Sequence, residues 1–219
     1  MHRLIMTSAV YRQGRRTDDP KRQDPDNRLL SRYPTRRLEA ELIRDRILAA
    51  SGSLNKAMGG PGIRPRIHPG VIATGTTRKW PTVERESHEH WRRSVYIFTR
   101  RSVLMPMLEA FDAPTTTQSC EQRLVTTVPT QALQLMNDRF TNEQATLMAR
   151  RVIRKVGRDT EKQVRAIYWR SLSREPTDSE LTDCVAFVRK QHEYHGSAEP
   201  SLADLCHVMF NLNEFVYVN

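Results

Sequence analysis

Apolar positions in this chain recur mostly at helical spacing, in runs separated by polar, proline-bearing breaks. Leu4, Ile5, Ala9 and Val10 predict a first helix over Arg3–Arg12. GRRTDDPKRQDPDN follows, with two prolines, a glycine and no apolar side chain, which predicts a mobile loop. Residues 1–26 therefore read as an N-terminal helix and loop ahead of a single mainly helical domain over 27–219. Asp26 or Asn27 can cap a short turn through Leu30. Thr35 is placed to cap a helix over Arg36–Ala50 with the stripe Leu38, Leu42, Ile43, Ile47 and Leu48, stopped by Gly52. On that helix Glu39, Glu41, Arg44, Asp45 and Arg46 fall mostly on the solvated side.

Periodicity disappears over 55–92, a candidate sub-boundary. NKAMGGPGIRPRIHPG holds four glycines and three prolines, suited to an irregular surface crossing. RRSVYIFTRRS, Arg92–Ser102, alternates as a strand does, with Val95, Ile97 and Thr99 opposite Tyr96 and Phe98. A lone strand must pair, and Gly70–Thr77 is the nearest partner in sequence.

From Met105 onward the pattern is helical with clear punctuation. Helices are predicted over Met105–Phe111, from Pro129 to Asn137, over Asn142–Val156 up to Gly157, and over Glu161–Leu172 after Thr160. Thr177 and Glu180 form a capping box for a helix carrying Leu181, Cys184, Val185 and Val188. Ser201 opens a further helix with Leu202, Leu205, Val208 and Met209, and Asn213–Tyr217 closes the chain. The expected fold class is mainly α with a small β element, ending in a C-terminal helical bundle. No internal repeat is visible.

Composition sharpens this picture. Apolar residues are 38% of the chain, below the usual share of a compact globule, so the core is not expected to be continuous along it. No apolar run approaches the ~20 residues of a transmembrane segment. MHRLIMTSAVYRQ lacks the long apolar centre and small-residue cleavage site of a signal peptide. The net charge of +10 sits in the first half: residues 1–110 carry 22 Lys and Arg against 11 Asp and Glu, and the remainder 13 against 14. That asymmetry favours anionic partners for the first half. No concentrated basic arm or aromatic ladder accompanies the arginines, which argues against nucleic-acid binding.

Candidate chemistry is sparse. Glu86, His88 and His90 share the spacing of a metal-ligand set, since i and i+2 side chains lie on one side of extended chain, but no further ligand is clearly nominated, His68 and the pair His192 and His195 being candidates without support. Cys120 lies near a helix start and Arg123, an environment that favours thiolate, yet no histidine base is at hand. Cys184 and Cys206 sit on apolar helix faces and read as core thiols. The three cysteines form no C-x-x-C, no haem-attachment motif and no zinc spacing, so no cofactor is expected in this chain. Glu109 and Asp112 are three residues apart, and Arg93, Arg100, Arg101 and Arg123 are available to pair with them. Such pairs would fix the 92–102 segment against the 111–129 loop. The alternative is a ligand pocket lined by Arg93, Tyr96, Arg100, Asp112, Cys120 and Arg123, holding an anion or a carbohydrate, in a binding or enzymatic subunit.

Seven blocks, in one order along nearly the whole chain, carry a family resemblance: HRLIMTSAVYRQ, DPDNRLLSRYPTRRLEAELIRDRILAASG, AMGGPG, RRSVYIFTRRS, MLEAFDAP, SCEQRLVTTVPTQALQLMND and LCHVMFNLNEFVYV. They resemble the planctomycete cytochrome-associated C-terminal domain, domain of unknown function 1553. The resemblance implies no established activity. It implies a companion N-terminal domain of unknown function, often a cytochrome c domain besides, and an exported, envelope-associated location. Relative to that family the chain looks N-terminally truncated, because a further helical segment precedes HRLIMTSAVYRQ there. The reading that follows is a non-catalytic structural or interaction module, normally the C-terminal part of an exported multidomain cytochrome-type protein.

Overall fold

A computed structural model describes residues 1–14, 24, 26–30, 32–68, 70, 80–100, 104–115, 117 and 119–218. Among them are α1 (His2–Met6), β1 (Arg36–Arg37), α2 (Ala40–Ser51), a 3-10 turn at Ser94–Tyr96, α3 (Pro106–Ala110) and α4 (Pro129–Asn137). Four longer helices or pairs follow: α5 (Arg139–Val156), α6 (Thr160–Ser171), α7 (Asp178–His195) and α8 (Ala198–Asn211), then α9 (Asn213–Val216) and β2 (Tyr217–Val218). The fold is mainly α with one two-stranded antiparallel sheet.

The helical bundle is built on α5. Its inward face, Phe140, Ala145, Met148, Ala149 and Val152, packs most extensively against Leu202, Leu205, Cys206 and Met209 of α8. Helix α2 lays Ile43, Ile47 and Leu48 on the other side of α5 and also meets α6. Helix α7 covers α8 through Val185 and Val188. These stripes follow i, i+3, i+4 spacing, which is why most of the bundle was legible. Thr177 accepts from the Glu180 N–H while Glu180 accepts from the Thr177 N–H, completing the expected capping box. Gly52 ends α2 at φ +79°, a left-handed position suited to glycine.

Several boundaries differ, each for a physical reason. Helix α1 is shorter than Arg3–Arg12 and buries no residue, so nothing packs against it to extend the helix. Arg36 and Arg37 are strand rather than helix, because their backbone pairs with Val218 and Tyr217 at the far end of the chain. Helix α2 starts at Ala40, with Glu39 rather than Thr35 at its N-cap. Leu42, placed in the stripe by spacing, is exposed. Ser201 lies inside α8 and bonds back to the Ser197 carbonyl instead of opening the helix.

The predicted strand Arg92–Ser102 is not one. Its described residues make a 3-10 turn at Ser94–Tyr96 and isolated bridges, among them the parallel ones of Asn55 with Arg92 and Ile63 with Ile97. Val95 is exposed while Ile97 is buried, so the alternation is broken by the turn. Residues 71–79 and 101–103, including most of the expected partner Gly70–Thr77, lie outside the described residues, as does the 15–23 part of the N-terminal loop.

The irregular 52–105 region is held on the bundle by an arginine. Arg44 is 0% exposed, the largest fully buried side chain among the described residues, and not on the solvated face where spacing placed it. Its guanidinium donates to the carbonyls of His90 (2.7 Å) and Arg92 (3.1 Å) and to Ser94 Oγ (3.2 Å), and lies over the Phe140 ring. Burial lowers its pKa, an effect opposed by Glu86, Asp45 and Asp138. Asp45, next to it, accepts from the Ser94 N–H and hydroxyl, both at 2.7 Å.

Candidate functional site

The residues expected to line one pocket are distributed over three joints of the fold. Arg93 faces Asp45 of α2 at 3.6 Å. The Tyr96 hydroxyl accepts from the Gly59 N–H (2.8 Å), and its ring lies under the Arg92 guanidinium at 3.9 Å. Arg92 in turn donates to the carbonyls of Ala57, Gly59 and Pro61, so the glycine-rich turn is wrapped around this arginine–tyrosine stack. Arg100 is half-buried, and no carboxylate among the described residues pairs with it. Arg101 is not among the described residues.

Asp112 and Arg123 lie at the start of α2. Asp112 has φ +61° and ends α3: its N–H bonds to the Glu109 carbonyl, and that of Ala113 to the Leu108 carbonyl. This is a Schellman closure with aspartate where glycine is usual, and aspartate is among the few side chains that tolerate it. Its carboxylate accepts from Arg37 Nη2 (2.5 Å), the Thr126 N–H (2.8 Å) and the Thr126 hydroxyl (2.9 Å). Burial opposes the charge, but the Thr126 bonds and the Arg37 cation outweigh it and hold the Asp112 pKa below the ordinary carboxylate value. Among the described residues, the predicted Arg93, Arg100 and Arg123 are therefore not its partners. Arg37, in β1, is. Arg123 forks onto both oxygens of Glu41 (2.8 and 3.1 Å) and approaches Glu39, which ties the 111–129 loop to α2. Those bonds raise its pKa.

Cys120 is exposed, with its thiol toward the Gln122 carbonyl at 3.2 Å. Cys206 is buried, as its spacing indicated, and burial pushes its pKa well up. Cys184 is only half-buried, beside the Tyr168 hydroxyl. Glu86 is buried, and its two oxygens accept from the Arg66 N–H (2.8 Å) and Trp91 Nε1 (3.1 Å). His88 is exposed, while His90 Nδ1 is engaged with Ser87. Among the described residues no group of three or more His, Cys, Asp or Glu is placed to hold a metal ion.

Two features escaped the sequence reading. One is an apolar surface strip, Leu124, Val125, Val128, Leu133 and Met136, on the segment leading into and along α4. Helix α4 buries Gln131 and Leu135 and turns Leu133 and Met136 outward. The other is a cleft of about 250 Å³ where α6 folds back on α5, lined by Arg151, Val152, Lys155, Val156, Ala166, Trp169 and Arg170. The signal was present as cation–apolar pairs at 151/152 and 155/156 on one helix and Ala166, Trp169 and Arg170 on the next. It takes the tertiary packing to bring them together.

Residues 1–188 match the family model described as "Protein of unknown function (DUF1553)". The chain belongs to that family. The match ends within α7, so α8, α9 and β2 lie beyond it. No match was found among curated proteins or among solved structures. Among the described residues of this DUF1553 chain, no helix is long and apolar enough to cross a membrane.

Proposed function

We propose that this DUF1553 chain is a non-catalytic structural or interaction module, the C-terminal part of an exported, envelope-associated multidomain cytochrome-type protein. Its partners in this reading are a companion N-terminal domain and a cytochrome c domain, with any haem held by the latter. The observation that carries the interaction role is the apolar strip from Leu124, 75% exposed, to Met136. Several exposed apolar side chains within one short stretch of chain are the kind of surface that docking faces use. Further support comes from the joints around 93–123: Arg93, Asp112 and Arg123 are each engaged by groups of the chain itself, so they act as architecture. The same pairings make the alternative, a ligand or carbohydrate pocket over 93–123, the weaker account.

The test joins the companion domain to the chain or adds it in trans and follows amide exchange over 124–137. Protection of that segment, lost in a Leu133→Asp/Met136→Asp variant with unchanged melting, is the expected result. Exchange that stays the same with the companion domain present would refute the docking role.

A further inference from the structure

We propose that the α5–α6 cleft is a binding site for a small aromatic acid. Its floor is apolar, made by Val152, Val156 and Ala166, and one wall is the Trp169 indole, 53% exposed. The ring is oriented by its Nε1–H, which donates to Glu175 at 2.5 Å. Glu175 is itself neutralised by Arg165 at 3.1 Å. A half-exposed, oriented indole beside an apolar floor offers a stacking surface for a flat ring.

The cleft surface itself is mostly apolar, and three of its lining side chains carry charge. Arg151, Lys155 and Arg170 are all cationic, and among the described residues none of them has a carboxylate partner. Arg151 and Arg170 each use one donor on the C-terminal end of α2, on the Gly52 carbonyl (3.0 Å) and the Ala50 carbonyl (2.8 Å). Among the described residues, the remaining guanidinium donors and the Lys155 ammonium have no hydrogen-bond partner. Burial lowers the Arg170 pKa, and the Arg151 charge lowers it further. Two unneutralised guanidiniums that repel one another favour an anion set between them. A volume of about 250 Å³ lies below the roughly 300–1,000 Å³ typical of drug-sized ligands, which restricts the occupant to one fused or single ring with a short acidic arm.

Calorimetric titration of the full chain tests this with three probes: indole-3-acetate, its neutral amide, and inorganic phosphate. Saturable one-site binding of the acid is expected, weakening as salt rises. Losing one charge-assisted contact corresponds to roughly a tenfold loss of affinity, so the amide should bind at least that much more weakly. Lys155→Met should produce a loss of about the same size with unchanged melting, and Trp169→Leu should remove the ring preference. Lys155 is exposed, so its variant keeps the test informative if Trp169→Leu disturbs folding. The site is ruled out by no saturable heat with the acid, by equal binding of acid and amide, or by affinity indifferent to Lys155→Met. Inorganic phosphate binding as tightly as the acid would exclude the aromatic specificity.

Discussion

The Arg37 guanidinium lies 2.5 Å from Asp112 Oδ2, joining β1 to the end of α3 across 75 residues of chain. Both side chains are largely buried, and Arg37 also covers the Phe111 ring at 5.4 Å. The pair matters because β1 is the strand that captures the C-terminal Tyr217 and Val218. One carboxylate thus connects the 111–129 loop, the α2 start and the chain terminus.

Asp112→Asn keeps a residue that tolerates the left-handed conformation and removes only the charge. It should lower unfolding free energy by about 1–3 kcal/mol, measured by urea denaturation. Its native pKa is depressed, so its contribution is complete above the unfolded value near ~4 and is lost as pH falls through the native value. The stability gap between wild type and variant should therefore close on acidification. A gap that widens toward low pH would contradict the assignment.

Arg44→Met should leave the His90 and Arg92 carbonyls without their donor inside the fold. The expected cost is roughly 3 kcal/mol or more, since each orphaned buried acceptor costs about 1–3 kcal/mol. Amide exchange should quicken first at Asn55, Ile63 and Phe98, whose N–H groups bond across the irregular region. Uniform acceleration over the bundle instead would place Arg44 in the general core.

Arg174 holds Glu180 at the start of α7 and Glu214 of α9 together, through four bonds of 2.7–2.8 Å. The Arg174 cation pulls the Glu180 pKa down to about 2, so the Arg174–Glu180 half of this tie persists in moderate acid and fails only as pH falls toward that value. The groups are about one-third exposed, and solvent screening limits the cost of Arg174→Met to about 1 kcal/mol. Denaturation at neutral pH, with and without high salt, measures it.

Thiol labelling with a small disulfide reagent should separate the cysteines. Cys120 should react rapidly, Cys184 slowly, and Cys206 only after unfolding, in line with their exposed, half-buried and buried positions. Fast modification of Cys206 in the native state would place α8 differently from the packing described.

The bundle helices were readable because they bury stripes at their own local spacing, and some of their ends carry short-range signals such as the Thr177–Glu180 box and Gly52. The same reasoning explains the failures. RRSVYIFTRRS alternates like a strand, but strand formation needs a neighbour, and the Ser94 N–H is instead taken by Asp45 from α2. Spacing placed Arg44 on the solvated face, whereas its two terminal nitrogens found backbone carbonyls 46 and 48 residues away. Arg93, Asp112 and Arg123 pair with carboxylates or arginines of the chain itself, and those partners lie far away in sequence. Asp112 found Arg37 rather than Arg93, Arg100 or Arg123. Helix periodicity is a property of neighbouring residues and was written in the chain. Pairing of charges, the outward turn of Leu133 and Met136, and the α5–α6 cleft depend on which distant surfaces meet, and only the folded chain settles that.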